Sequence, residues 1–247
     1  MAKRNYGWQP DLPDKRDYLF RKVVKPVPAA PASDLRKFAS PVEDQGSLGS
    51  CTGNGTVAVL EYNQIAAGKG LVDLSRLFAY YSGRLIEGTT ATDSGCQIRD
   101  VVKGLAKYGT PPESTWPYVI SDFAKRPTPA AYSQAIPWVI NDYSRVTTLN
   151  DLRVALTQGH PVVFGFTVYE SFESDAVAKT GLMPMPKRTE RVLGGHCVVA
   201  FGHDDSKKQV ICRNSWGPGW GDKGYFYMPY AYISNRNLAD DFWVIRG

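Results

Sequence analysis

The sequence predicts an α+β fold in which a mainly helical first half faces a β-rich second half across a cleft. Three observations carry this expectation. Apolar residues recur at helical spacing after Cys51 and again in the stretch IRDVVKGLAKYG. From about Tyr143 onward, β-branched and aromatic runs bounded by Gly, Asp and Asn follow one another. Finally, 23 Gly and 17 Pro in 247 residues indicate a loop-rich molecule rather than a helical bundle. A chain of this length buries a sizeable core.

Residues 1–33 read as a separate segment. It opens with aromatics and turn dipeptides (NYGW, QPDLPD) and closes with the Pro/Ala stretch KPVPAAPAS, which cannot form a helix and reads as an extended linker. Residues 34–142 form the mainly helical part. There the glycine-rich turn QGSLGS precedes Cys51, and VAVLEYNQIAAG supplies helical spacing until Gly68. IRDVVKGLAKYG is the next helix, ending at Gly109 before the loop PPESTWPY. Residues 143–247 form the mainly β part. It begins with the amphipathic helix TLNDLRVALTQG, and PVVFGFTVY, GGHCVVAFGHD, KKQVICRNSWG and KGYFYMPY are its strands.

The net charge of +5 is concentrated at one end, with nine Lys or Arg against four Asp in residues 1–37 and a balanced remainder. The folded body carries no basic stripe or motif, so no nucleic-acid partner is expected. No apolar run approaches the length of a membrane span, and MAKRNYGWQPDLPDKRDYLF lacks the apolar core of a secretory signal. As written, the chain is expected to act in the cytoplasm without a membrane. The four cysteines form no C-x-x-C pair and read as free thiols, and no cluster at ligand spacing calls for a metal or other cofactor.

Cys51 is predicted at a helix N-terminus, where unpaired backbone N–H groups favour thiolate over thiol. A nucleophilic reading requires a base, and there are only three histidines. His160 lies in the turn QGHPVV, and His203 sits where a strand exits into an acidic turn and reads as surface. His196 differs, because GGH opens an apolar strand and its two glycines leave room for a ligand backbone. In RNSWGPGWGDKGY, Asn214 is suited to fix an imidazole tautomer and Trp216 to shield that bond from water.

QGSLGSC, GGHCVVAFG and NSWGPGWGDKGY, in that order, resemble the signature blocks of the papain-like cysteine peptidases, over nearly all of the chain from about Asp34. The short amino-terminal segment and the scarcity of cysteines resemble bacterial members. The resemblance implies the two-lobed papain-like fold, with a helical lobe and a β-barrel-like lobe. It implies Cys51 as nucleophile, His196 as base and later acid, Asn214 as orienter, and Gln45 as a donor to the oxyanion beside the Cys51 amide. Substrate backbone would be held at Gly95 and Cys96, the latter placing a side chain near the cleft. Gly165, Gly194 and Gly195 would wall the main specificity pocket, with Trp216 beside it. An ungapped alignment of DDFWVIRG puts Asp240 near the pocket floor, where a carboxylate would accept Arg or Lys. Both ends of a disulfide usual in the family are replaced, by Leu48 and Asp93, and Thr52 stands where an aromatic usually follows the nucleophile.

The expected activity is hydrolysis of peptide bonds in peptide or protein substrates through an acyl-thioester. Alternatives on the same residues are an inactive peptide-binding protein and a thiol-dependent acyl transferase. The amino-terminal segment lacks the family's long helical pro-region. It is expected to lie over or beside the cleft as a short pro-segment, docked through Tyr6, Trp8, Tyr18 and Phe20 and cut in the linker 25–33. A permanent strap on the body is the competing reading.

Overall fold

The computed structural model describes residues 5–25 and 27–246; residues 1–4 of the amino-terminal segment, Pro26 of its linker and Gly247 lie outside them. The first half contains β1 (Trp8–Gln9), α1 (Phe20–Val23), β2 (Ala32–Asp34), α2 (Cys51–Ala66), α3 (Arg76–Glu87), β3 (Cys96–Gln97), α4 (Ile98–Tyr108) and α5 (Pro129–Ala135). The second contains β4 (Asp142–Val146), α6 (Leu149–Thr157), β5 (Val162–Tyr169), α7 (Asp175–Thr180), β6 (Val192–Asp204), β7 (Gln209–Arg213), β8 (Tyr225–Pro229), α8 (Tyr230–Ile233) and β9 (Ala239–Arg246). No described helix is long and apolar enough to cross a membrane.

Helix α2 is buried on nearly every side, because α3 and α4 cover one face and β6 the other. Its small residues permit this. A Cβ at Gly53 would stand 2.7 Å from the Arg76 carbonyl oxygen and 2.9 Å from Tyr80 Cβ, so α2 and α3 meet backbone to backbone there. The helices around it start where side chains replace missing backbone partners: Ser75 caps α3 by accepting from the Phe78 amide, and Thr148 caps α6 by accepting from the Asp151 amide.

The main sheet runs β4-β9-β5-β6-β7-β8, with β2 added along the far half of β6. Its two edges, β4 and β8, do not pair, so the β part is an open twisted sheet and not the barrel-like lobe expected. β6 is long enough to serve three neighbours. Its first half, as far as Ala200, pairs with β5; from Val199 it pairs with β7 across an irregularity at Ala200/Gly202, and residues 202–204 also pair with β2. One core fills the space between the sheet and α2, α3 and α4; a second, rich in Phe and Trp, lies on the opposite face under α6 and α7.

The amino-terminal segment is woven into the body at both ends. β1 pairs in parallel with β3, and β2 pairs antiparallel with β6. Between them, Phe20 is buried in the second core, whereas Tyr18 stays exposed and only its backbone carbonyl is used, accepting from the Arg145 amide at 2.7 Å. The stretch read as an extended linker therefore ends in an extended strand paired with the sheet.

Candidate active site

Cys51 is the first residue of α2 and is fully buried. The turn before it is held by hydrogen bonds. The Asp93 carboxylate accepts from the Gly49 amide at 3.0 and 3.1 Å and from the Tyr80 hydroxyl at 2.6 Å, and Ser50 Oγ is bonded to the Tyr118 hydroxyl. Asp93 is one of the two residues read as replacing a disulfide, and its carboxylate ties together the same two stretches of chain. The backbone N–H groups of Cys197, Gly7, Thr52 and Cys51 itself lie near the Cys51 sulfur, where they favour the thiolate. Cys197 follows His196 in β6, so the sulfur and the histidine are brought to the same place from opposite halves of the chain.

His196 is held from three sides. Its Nε2 lies 2.8 Å from Asn214 Oδ1, which also accepts from the Ser215 amide at 2.8 Å. With that oxygen an acceptor, Nε2 carries the proton and Nδ1 is the basic nitrogen of the neutral ring. The Trp216 indole stacks on the imidazole with centroids 5.0 Å apart and planes 28° apart, and Phe166 closes its edge at 5.7 Å. Gln45 is oriented in the same way: its Oε1 accepts from Ser215 Oγ at 2.6 Å, so its NH2 group is turned the other way, to the Leu48 carbonyl at 2.9 Å and the Asn5 carbonyl at 3.4 Å.

Residues 5–11 fill the cleft between these groups. The Gly7 carbonyl accepts from the Cys96 amide at 2.7 Å, and a Cβ on Gly7 would fall 1.7 Å from the Gly49 carbonyl oxygen. Tyr6 packs edge-on to His196 at 5.8 Å and its hydroxyl bonds Glu173; Gly194 lies under its ring. The Trp8 indole occupies a flat slot where a Cβ at Gly165 would stand 2.0 Å from Trp8 Cε2 and one at Gly195 2.8 Å from Cε3. Gly95, at φ +73°, admits the Gly7 carbonyl where any side chain would collide. Burial beneath this segment pushes the Cys51 thiol up to about 11.

Behind Trp8 the segment is latched by carboxylates. Asp11 accepts from Trp243 Nε1 at 2.9 Å and from the Arg99 amide at 3.1 Å, while its own amide donates to Asp241 Oδ2 at 2.7 Å. Arg145 reaches Asp241 Oδ1 at 2.6 Å and Asp17 at 3.3 Å, and Arg99 holds Asp17 at 2.6 Å.

With this geometry in view, the comparisons with known proteins are decisive. The family described as "Papain family cysteine protease" matches residues 29–242. The chain belongs to that family. Among solved structures, xylellain, a cysteine protease from Xylella fastidiosa, superposes with a TM-score of 0.89 at 37% identity, covering 100% of this chain and 98% of that one. An uncharacterized peptidase C1-like protein of Acanthamoeba polyphaga mimivirus is 39% identical over 270 residues, covering 98% of this chain and 87% of the viral one. Cysteine proteinase 3 of Entamoeba histolytica is 31% identical over 216 residues, or 83% of this chain and 65% of that protein, so this papain-family chain spans about two thirds of the amoebic relative.

Several expected positions are corrected within this papain-family site. Cys96 offers the cleft its backbone only; its sulfur turns into the helical layer, 3.2 Å from Glu87 Oε1. The carboxylate that reaches the pocket is Asp241 and not Asp240, which pairs with Arg145 at 3.3 Å and is partly exposed. A bulge explains the shift. The register of β5 against β9 slips between Val163 and Gly165, and Asp241, at φ 58°, turns inward, which an ungapped alignment cannot register. His203 is buried, not surface, with Nδ1 3.1 Å from the Tyr230 hydroxyl. Ser215, Asp241, Asp11 and Arg145 went unrecognised in the sequence. Only Ser215, adjacent to Asn214, carried a local signal.

Proposed function

We propose that this papain-family protease cleaves peptide bonds as a thiol endopeptidase through an acyl-thioester on Cys51, and that its own amino-terminal segment holds it latent. His196 Nδ1 takes the thiol proton, and the sulfur attacks the peptide carbonyl. The oxyanion so formed receives hydrogen bonds from Gln45 Nε2 and the Cys51 amide. Collapse expels the amine, which leaves with the proton from His196. The same nitrogen then takes a proton from water, whose oxygen attacks the thioester and releases the acid and the thiol. Asn214 keeps Nε2 protonated throughout, and Trp216 excludes water from that bond.

The single observation that carries the catalytic reading is the locked imidazole: Nε2 tied to Asn214 Oδ1 at 2.8 Å beneath Trp216, with the backbone N–H of the next residue, Cys197, near the Cys51 sulfur. Latency is supported by three coincident contacts. Gly7 covers the sulfur, the Asn5 carbonyl engages the oxyanion donor, and Trp8 fills the pocket.

Chain direction explains why the segment is not a substrate. The leaving amine departs beside His196, where Tyr6 lies, so the acyl side of the cleft is the Trp8 side. A substrate runs from the Trp8 slot towards His196, and the segment runs the other way. The test is a digest of a peptide library by the full chain, by Trp8→Ala and by Cys51→Ala. Cleavage is expected to be strongest with Trp8→Ala and absent with Cys51→Ala; equal cleavage by the full chain and Trp8→Ala ends the latent reading, and cleavage by Cys51→Ala ends the catalytic one.

A further inference from the structure

We infer that Asp241 makes the Trp8 slot selective for a flat aromatic side chain with a hydrogen-bond donor at its edge, tryptophan above all, rather than for a cation. This rests on the reading of the slot as the place where a substrate side chain binds. The slot receives the residue next to the one lying over Cys51, on the acyl side, which in a substrate is the second residue before the cleaved bond.

The two oxygens of Asp241 have different work. Oδ1 faces Arg145 at 2.6 Å, an ion pair that belongs to the body and stays when the amino-terminal segment leaves. Oδ2 accepts from Trp8 Nε1 at 3.1 Å and from the Asp11 amide at 2.7 Å, and both donors belong to the segment. Departure of the segment therefore strips one oxygen of its partners at the end of a slot with glycine walls. A buried acceptor without a donor is costly, so occupants that supply an N–H or O–H are favoured over those that do not.

A cation is not the matching occupant. Oδ1 of Asp241 is already paired with Arg145, which Asp240 shares at 3.3 Å, and the slot between Gly165 and Gly195 is shaped for a flat ring rather than for an ammonium or guanidinium chain. Arginine or lysine would also give up hydration to reach a carboxylate that already has a cation partner. Phenylalanine and leucine fit the walls but leave Oδ2 without a donor.

The discriminating substrates are otherwise identical peptides with tryptophan, naphthylalanine, leucine or arginine at that second position, cleaved by the full chain opened with Trp8→Ala. Naphthylalanine has the area of tryptophan without its N–H. kcat/KM for tryptophan is expected to exceed that for naphthylalanine by roughly 10- to 100-fold, the usual worth of one hydrogen bond to a charged acceptor. In Asp241→Asn the amide oxygen is drawn to Arg145 and the NH2 turns to the slot, so the ratio falls to about one. Asn also tolerates the left-handed backbone at this position. Equal rates for tryptophan and naphthylalanine, or arginine as the best residue, overturns the inference even if Asp241→Asn does not fold.

A second readout needs no turnover. Exchange of the Cys96 amide hydrogen, which is bonded to the Gly7 carbonyl, reports opening of the segment. Trp8→Phe is expected to speed that exchange at least tenfold more in the natural chain than in Asp241→Asn, and equal acceleration in both overturns the inference. A chain that cleaves no peptide yet shows this difference sinks the proposed activity and leaves the recognition by Asp241 standing.

Discussion

Gln45 acts through which of its two ends faces the cleft, and Ser215 decides that by donating its hydroxyl proton to Oε1. In the chain opened by Trp8→Ala, Gln45→Ala is expected to lower turnover by about 10² to 10³ while Cys51 is still alkylated, because only stabilisation of the oxyanion is lost. Equal loss of both would show that Gln45 holds the thiol instead. Asp93 has a different task. Asp93→Ala leaves the Gly49 amide and the Tyr80 hydroxyl without their acceptor and is expected to cost about 1–3 kcal/mol in urea unfolding. These residues also show what sequence alone conveys. Cys51, His196, Asn214 and Gln45 stand in contiguous blocks whose local chemistry is readable, and the structure brings those blocks together. Asp241 is not readable in that way, because its role arises from a bulge in the pairing of β5 with β9.

The amino-terminal segment is a strap with two unequal halves. Residues from Phe20 onward are fixed by a buried ring and by β2, so a cut in the linker 25–33 would leave the cleft-filling half still seated by β1, Trp8 and Asp11. Its latch titrates. Burial, followed by the charge of Asp241, pushes the Asp11 carboxyl up to about 7, against hydrogen bonds from the Arg99 amide and Trp243 and the charge of Arg99; Arg145, Asp17 and Asp240 also border the pair. Once the strap leaves, Asp11 is in water at the ordinary carboxylate value near 4. A group whose docked pKa lies above its free value favours docking fully below the free value and loses that contribution as pH rises through the docked one. Docking of the strap is therefore expected to weaken between about pH 4 and 7 without being lost, and Cys96 amide exchange, corrected for its intrinsic pH dependence, should rise by tenfold or more over that window. Asp11→Asn leaves only the Asp241 carboxyl, itself raised by burial, so the rise in exchange is expected to shrink, and an unchanged pH profile in that variant would refute the latch.

Across the whole molecule, α2 is the part on which both halves depend, since it carries Cys51 at its tip and packs on α3 on one side and β6 on the other. Gly53→Ala places a methyl 2.7 Å from the Arg76 carbonyl oxygen and is expected to cost about 1–3 kcal/mol, read as a lower thermal midpoint. An unchanged midpoint would mean that the two helices part without cost. The division into helical and β-rich halves was legible because periodicity is local. The open sheet was not, because whether β4 and β8 meet depends on twist accumulated over strands distant in sequence. The same limit applied to the strap. Tyr6 and Trp8 were visible as aromatics with a docking role, but not the direction in which they enter the cleft. The central claim, that the sulfur of Cys51 carries the reaction once the strap is displaced, is tested most directly by peptide hydrolysis in Trp8→Ala while Cys51 is progressively alkylated. Hydrolysis is expected to fall in proportion to the thiol blocked and to vanish at full labelling; hydrolysis that persists on a fully alkylated Cys51 contradicts the account.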